Sequence, residues 1–370
     1  MAVAVVGAGW SGAVIARQLA EAGRDVVVFE KRQHVAGNCH TERRRQVMVH
    51  AYGPHIFHTD DERVWAWVQR WGDWHPYRLT VRSTSRGQVF TLPVNLHTLN
   101  QVYQCSFTPT QAERHIRTWY IDDPQSFADA AVSAVSAPVF QRLFRGYTAK
   151  QWGVDPSELP ASVFRRLPVR FNYDDRYFTH RHEAMPVDGY TAVVERILDH
   201  PLITLRRSTS FVPADSDQYD HTFWSGPLDA WFGHGLGRLR YRTLRFDWQV
   251  GKGDQQGVAL MNWPDIDVPW TRVTEHNHLT PWESHDVSIR SFEHPADAGP
   301  NDEPFYPLRL VDDRRLLNRY VEQAAMTTGV TFVGRLGTYR YLDMDVTIRE
   351  ALEVADRYLD GDVLPFYVNP

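Results

Sequence analysis

The sequence predicts an α/β fold in which a discontinuous nucleotide-binding unit is interrupted by a helical insertion and an antiparallel β-sheet. Three observations predict it. A glycine-rich turn directly follows a short apolar run at the N-terminus, and a second apolar run near residue 330 again ends in glycine. Between them the hydrophobic period is helical over 95–147 and then alternates in short segments over about 240–293, the patterns of helices and of half-buried strands.

Taken in order, residues 2–6 form an apolar strand, Gly7 to Gly12 a turn, and Ala13 to Ala22 a small-apolar helix suited to close packing on a sheet. Val26 to Phe29 then reads as a second buried strand, so the opening is βαβ. Asp60 to Trp71 is a helix opened by acidic residues, which favour a helix N-terminus. Arg78–Arg82 and Gln88–Leu92 alternate like a hairpin. Helical periods follow at Leu96–Tyr103, Thr110–Trp119, Ser126–Ala134 and Pro138–Phe144. Residues 153–180, rich in Pro, Arg, Asn and Asp, predict a long surface segment of the kind that carries function or moves. A helix at about 189–199 and strands near 202–206 and 220–224 resume the α/β pattern. Strands are expected at about 240–249, 256–262, 271–276 and 286–293, then a helix at 313–328, a strand at 330–334 and a helix at 345–359. The expected division is 1–76, 183–235 and 308–370 for the nucleotide-binding domain, 95–182 for a helical domain with a mobile loop, and 77–94 with 236–307 for the sheet domain.

Composition excludes several classes. With 43% hydrophobic and 23% charged residues, the 370-residue chain is neither disordered nor fibrous. A net charge of −5 provides no global field toward nucleic acid or an anionic membrane surface. Two widely separated cysteines predict a reduced, cytoplasmic setting. No apolar run approaches the roughly 18 residues of a membrane span. Aromatic residues make up 13% of the chain, and flat rings suit ring-shaped ligands as well as cores.

Gly7-Ala8-Gly9-Trp10-Ser11-Gly12 is a GxGxxG fingerprint between strand and helix. Its glycines permit the tight turn, the approach of backbone N–H groups to a pyrophosphate, and close helix packing. Glu30 ends the second strand, where an acidic side chain accepts from a ribose hydroxyl. The fingerprint leaves NAD and FAD open. Phe332-Val333-Gly334-Arg335, a returning apolar strand delivering a glycine and an arginine, is a feature of FAD-binding proteins of the glutathione-reductase type and points to FAD.

Tyr52-Gly53-Pro54-His55-Ile56-Phe57-His58 has three readings: a metal site, a loop with a core histidine, or a loop laid against a flat ring system. No acidic or cysteine cluster completes a metal set from His50, His55 and His58, from His180 and His182, or from His276 and His278, so no metal is expected. Arg145 to Gly153, with Arg165, Arg166 and Arg170 beyond it, and the tyrosines at 306, 339 and 341 could be surface charge and core aromatics. Together they could also supply guanidinium forks and hydroxyls to phosphate oxygens.

These pieces join in one resemblance. VVGAGWSGAVIA, YGPHIFHT, FRGYTAKQWG, PSELPASVFRRLPVRFNYDDRYF, AMPVDGYT, SGPLDAWF and FVGRLGTYRYLDMD, in that order, resemble the UDP-galactopyranose mutases over nearly the whole chain. The resemblance implies an FAD-dependent isomerase, active with reduced flavin, that interconverts UDP-galactopyranose and UDP-galactofuranose through a flavin N5–sugar adduct without net redox. It implies that Arg166 and Arg272 hold the diphosphate, that Tyr147, Tyr306 and Tyr341 bond phosphate oxygens, and that Tyr177 stacks on the uracil. Trp152 and Phe144 would border the sugar-nucleotide channel, His55 and His58 would lie near the flavin N5, and Asn262 and Asp343 near sugar or flavin. Gly7, Gly9, Gly12, Glu30, Lys31, Asn38, His55, Gly226, Arg335 and Met344 would carry FAD. It further implies a homodimer and a cellular reductant such as NAD(P)H.

Leu143 stands where relatives often have Phe beside the base, and Arg176 where some have Asn. Members of the family also act on TDP-fucopyranose, TDP-galactopyranose or UDP-N-acetylgalactosamine, and one of these is the alternative substrate. A true oxidoreductase, which would show net turnover of oxidant, is a further alternative.

Overall fold

The computed structural model describes residues 1–166, 168–308 and 314–362, with the side chains of Arg165 and Arg166 outside that description. A five-stranded parallel sheet organises the nucleotide-binding part, in the order 203–206, 26–29, 3–6, 222–224 and 330–332. Its central strands are continuous apolar runs because both faces are covered, as parallel sheets require. Val3, Val5, Val28 and Phe223 are fully buried, and each such side chain contributes about 1.5–3 kcal/mol relative to exposure.

Helix Trp10–Glu21 packs on this sheet, and Ala13, Ala16 and Ala20 are buried along it. The last helix, Met344–Leu359, lies against it. Its buried residues Ile348, Ala351, Leu352 and Ala355 recur at helical spacing and form one stripe. The outermost strand, 330–332, returns the chain to the sheet and delivers Gly334 and Arg335 in a short helical turn at 334–337.

The helical insertion comprises Leu96–Tyr103, Pro109–Arg117, Phe127–Val135, Ala137–Leu143 and Arg145–Trp152. Three of these begin with reciprocal caps, in which Asn95, Thr108 and Ser126 accept from the backbone three residues on while residue 98, 111 or 129 reaches back. Each cap satisfies orphan N–H groups and is worth about 1 kcal/mol.

The seven-stranded sheet runs in the order 306–307, 241–252, 287–297, 272–275, 260–262, 81–85 and 88–92. It differs from the expected antiparallel sheet in one place: 260–262 pairs with 81–85 in parallel. The 81–92 hairpin comes from far earlier in the chain, so no tight turn constrains its direction. A second difference is a small sheet in which 182–186 pairs with both 57–59 and 74–76, making Phe57 and His58 strand rather than loop residues. Residues 153–180 also pack more than a surface segment would. Leu159, Ala161 and Phe164 are buried, and Phe127 N–H donates to Leu159 O at 2.8 Å. Intervening prolines and charges hide that packing from any simple period.

Candidate active site

The glycine turn is built by backbone contact. A Cβ on Gly12 would stand 1.9 Å from Gly7 O, so only glycine lets the helix start this close to the strand. Glu30 closes the turn from the side: Oε2 accepts from Ala8 N–H at 2.8 Å and Oε1 from Arg32 N–H at 2.9 Å. Each oxygen keeps a second lone pair for a ligand hydroxyl. Gly9 is the N-cap of helix Trp10–Glu21, whose first N–H groups have no partner within the helix and favour an anion. Asn38 lies nearby on the 37–39 turn, its Oδ1 accepting from Arg32 Nη2 at 2.9 Å. Lys31 is half exposed and pairs with Glu303 at 2.9 Å. Gly226 follows Ser225, whose hydroxyl donates to Val6 O at 2.6 Å and so ties strand 222–224 to the turn.

Arg335 lines a cavity of about 830 Å³. It is lined by His55, His58, Phe144, Tyr147, Trp152, Tyr177, Asn262, Arg272, Tyr306, Arg335, Tyr341, Asp343 and Met344, which places most expected site residues around one space. The glycine-turn residues Gly7, Gly9, Gly12, Glu30, Lys31 and Asn38, and Gly226, are not in its wall. The backbone of Arg166 ends the 161–166 turn, whose Phe164 packs edge-on against Phe127 and Phe144; the Arg166 side chain lies outside the described residues.

The polar wall comes from register in the large sheet. Asn262 is directly opposite Arg272, and Arg272 directly opposite Glu293; cross-strand partners share a face, so the three form a row. Arg272 Nε donates to Asn262 Oδ1 at 3.4 Å, its Nη2 donates to the Tyr147 hydroxyl at 3.0 Å, and Nη1 lies 3.8 Å from Glu293 Oε1. That Glu293 oxygen is buried without a hydrogen-bond partner. Burial raises the Glu293 pKa, against the pull of Arg272.

Burial also raises the hydroxyls of Tyr147, Tyr306 and Tyr177, the last to about 12. All three therefore remain O–H donors at neutral pH. Tyr306 stacks on Tyr341 with centroids 5.6 Å apart, and the Arg335 guanidinium lies 4.6 Å over the Tyr341 ring. Arg335 is also anchored by donation to Leu342 O at 2.7 Å.

The histidines divide in role. Burial, then Arg335, pulls the His55 pKa down to about 4, so the ring is neutral. Its Nδ1 lies 2.8 Å from Gly53 O; a carbonyl only accepts, so the proton is on Nδ1 and Nε2 carries a lone pair. His58 stacks on Phe178 at 3.8 Å and its Nδ1 is buried without a partner. Asp343 occupies the N-cap position of the last helix without a side-chain cap, and Met344 is its first residue. Among the described residues, metal-type donors converge at Asp254, Glu275 and His278, none of which lines the cavity; there His278 pairs with Asp254 at 3.1 Å.

Glu293, Phe127 and Phe164 were not among the expected site residues. The last two stand in segments whose apolar character was visible but whose juxtaposition was not. Glu293 lay within an expected strand, and only the register with Arg272 brings it to the site.

Comparison with known proteins bears on the whole arrangement. Residues 142–341 match the UDP-galactopyranose mutase family, and residues 5–71 match a NAD(P)-binding Rossmann-like domain. The chain is 49% identical to a "Probable UDP-galactopyranose mutase" of Klebsiella pneumoniae, over 100% of this chain and 98% of that protein. It is 45% identical to the dTDP-fucopyranose mutase of Escherichia coli, over 97% and 99%. The fold is similar to that in the crystal structure of reduced UDP-galactopyranose mutase, with TM-score 0.78 and 16% identity over 97% of this chain and 94% of that one. A putrescine oxidase shares it more distantly, with TM-score 0.59 and 11% identity over 97% and 99%.

Proposed function

The chain belongs to the UDP-galactopyranose mutase family, and from that premise we propose that it interconverts UDP-galactopyranose and UDP-galactofuranose, with FAD as cofactor in its reduced form and no net redox. The observation that carries the reading is the Asn262–Arg272–Glu293 row, with Tyr147 hydrogen-bonded to Arg272, in the wall of one cavity.

The residues present fit FAD. A Gly12 Cβ would fill the space the turn needs, and Glu30 retains lone pairs while fixed by Ala8 and Arg32. Gly7, Gly9, Gly12, Glu30, Lys31, Asn38, Gly226, Arg335, His55 and Met344 are the proposed holding residues. When bound and reduced, the flavin supplies the nucleophile that such chemistry needs. The protein's own part is to hold the diphosphate as it leaves and to keep it in place for return. Arg272 supplies the fixed charge in a site of low dielectric. Tyr147 and Tyr306, held protonated at neutral pH by burial, and the Tyr341 hydroxyl donate to phosphate oxygens. Arg166 is proposed as the second cation. Tyr177 would stack on the base, Trp152 and Phe144 would border the channel, and Asn262 and Asp343 would lie near sugar or flavin. His55 and His58 would abut the flavin, with the His55 Nε2 lone pair available as an acceptor.

Residues 95–182 are proposed as the helical domain with the substrate loop, with 1–76, 183–235 and 308–370 carrying FAD and 77–94 with 236–307 the sheet. A homodimer, a cytoplasmic location and reduction by NAD(P)H belong to the same proposal; among the described residues no helix is long and apolar enough to cross a membrane.

A second reading, the same ring contraction on TDP-fucopyranose, is favoured by the nearly equal identity to the two kinds of relative. TDP-galactopyranose and UDP-N-acetylgalactosamine are further candidates. The deciding experiment offers the reduced protein UDP-galactofuranose and TDP-fucofuranose separately and follows pyranose formation by chromatography. Faster turnover of UDP-galactofuranose is expected; selective turnover of TDP-fucofuranose would transfer the assignment to the second reading.

A further inference from the structure

Helix Arg145–Trp152 meets the 263–270 loop through two residues one turn apart. A Cβ on Gly146 would stand 2.1 Å from Pro264 O, so the helix backbone rides directly on the loop. Four residues later the Lys150 ammonium reaches four backbone carbonyls, those of Trp263 at 2.6 Å, Asp265 at 2.8 Å, and Val268 and Trp270 at 2.9 Å. An ammonium has three protons, so four oxygens around it make the surroundings of a dehydrated monovalent cation, of the kind that carbonyl rings provide for potassium.

Burial pulls the Lys150 pKa down to about 8, with Asp265 and Asp267 holding it up, so the group is charged at neutral pH. The same helix end is tied to strand 241–252, since Arg242 donates from Nη2 to Lys150 O and from Nε to Gln151 O, both at 3.0 Å. Lys150 is absent from the cavity wall, whereas its neighbours Tyr147, Gln151 and Trp152 line it. The loop it grips joins strand 260–262, which carries Asn262, to strand 272–275, which carries Arg272.

We propose that Lys150 is a positioning residue whose ammonium acts as a built-in monovalent cation, locking the 263–270 loop to helix 145–152 and thereby setting Tyr147 against Arg272. This rests on the diphosphate-binding reading above. Lysine suits the task because a compact ammonium on a flexible stem satisfies oxygens gathered around one point, which a planar guanidinium does not.

The test is Lys150→Ala, which leaves four carbonyls facing a space a small cation can enter. In a choline buffer the variant is expected to retain FAD but lose about 100-fold in kcat/KM, the scale of an ångström-level misplacement, and to bind UDP more weakly. Ammonium or potassium ions should restore most of both, with little effect on the wild type. Unchanged kinetics would overturn the proposal, as would a loss that no cation repairs. So would a lowered Tm with unchanged kcat/KM and UDP affinity, which would make the contact purely structural. Should Lys150→Ala fail to fold, Lys150→Arg carries the test: the filled cage should give a comparable loss that ammonium does not repair, and wild-type kinetics would overturn the proposal. Hydrogen exchange over 145–152 and 263–270 reads the clamp without any substrate. Exchange that does not rise in the variants overturns it, whereas a wild-type protein inert toward every sugar nucleotide overturns the functional reading instead.

Discussion

In its proposed role Arg272 has to be a cation without a full counter-charge, because a departing diphosphate must find attraction still to be gained. Its carboxylate partner, Glu293, is 3.8 Å away, beyond hydrogen-bond reach, so the compensation is partial, and burial raises the Glu293 pKa. Arg272→Ala should therefore leave FAD bound while lowering turnover by about 100- to 1,000-fold, the usual cost of removing one preorganised charge-stabilising group. Near-normal turnover would remove Arg272 from the diphosphate site. Glu293→Gln acts in the opposite sense on binding. It leaves Arg272 with less compensation, so the ligand-free variant should melt below the wild type, and saturating UDP should raise its Tm by more. Equal Tm increments in the two proteins would show that Glu293 does not moderate Arg272. Neither role could be assigned to Glu293 from sequence, where a lone glutamate in Ser-Phe-Glu-His gives no sign of which face it occupies. The strand register supplies that, and register joins residues that lie far apart in the chain.

At the scale of elements, the glycine turn is the least forgiving piece. Gly12→Ala places a methyl group against Gly7 O, a backbone atom that cannot move without shifting strand 3–6. The variant is expected to purify without bound flavin, read by its visible absorbance, and full flavin content would contradict the packing described here. The βαβ opening and the helices of 96–143 were legible because their signals are local: an apolar run, a glycine turn, a helical period. The small sheet joining 57–59, 74–76 and 182–186 was not, since each strand is short and its partners are over a hundred residues away. The parallel pairing of 260–262 with 81–85 escaped for the same reason. Most of the expected site residues do converge on one cavity, yet the contacts that orient them, such as Lys150 on its four carbonyls, follow from tertiary approach.

Across the whole molecule, buried histidines should make stability depend on acidity. Burial pulls His221 down to about 4 and His276 to about 3, against about 6.5 in the unfolded chain. Between those values the unfolded state binds protons that the folded state refuses, so stability falls as pH falls from about 6.5 toward 4. Each group adds a slope of at most about 1.4 kcal/mol per pH unit. Glu293, shifted upward, works in the opposite direction. Urea unfolding at pH 7, 6, 5 and 4 should show a progressive loss; a flat profile over that range would mean that these rings accept protons in the folded state.

Reduced flavin is required yet not consumed in the proposed reaction, and counting turnovers tests this most directly. Protein reduced once under anaerobic conditions and given excess UDP-galactofuranose should form many equivalents of UDP-galactopyranose per flavin, and the oxidised protein none. One product per reducing equivalent, or equal rates in both oxidation states, would contradict it.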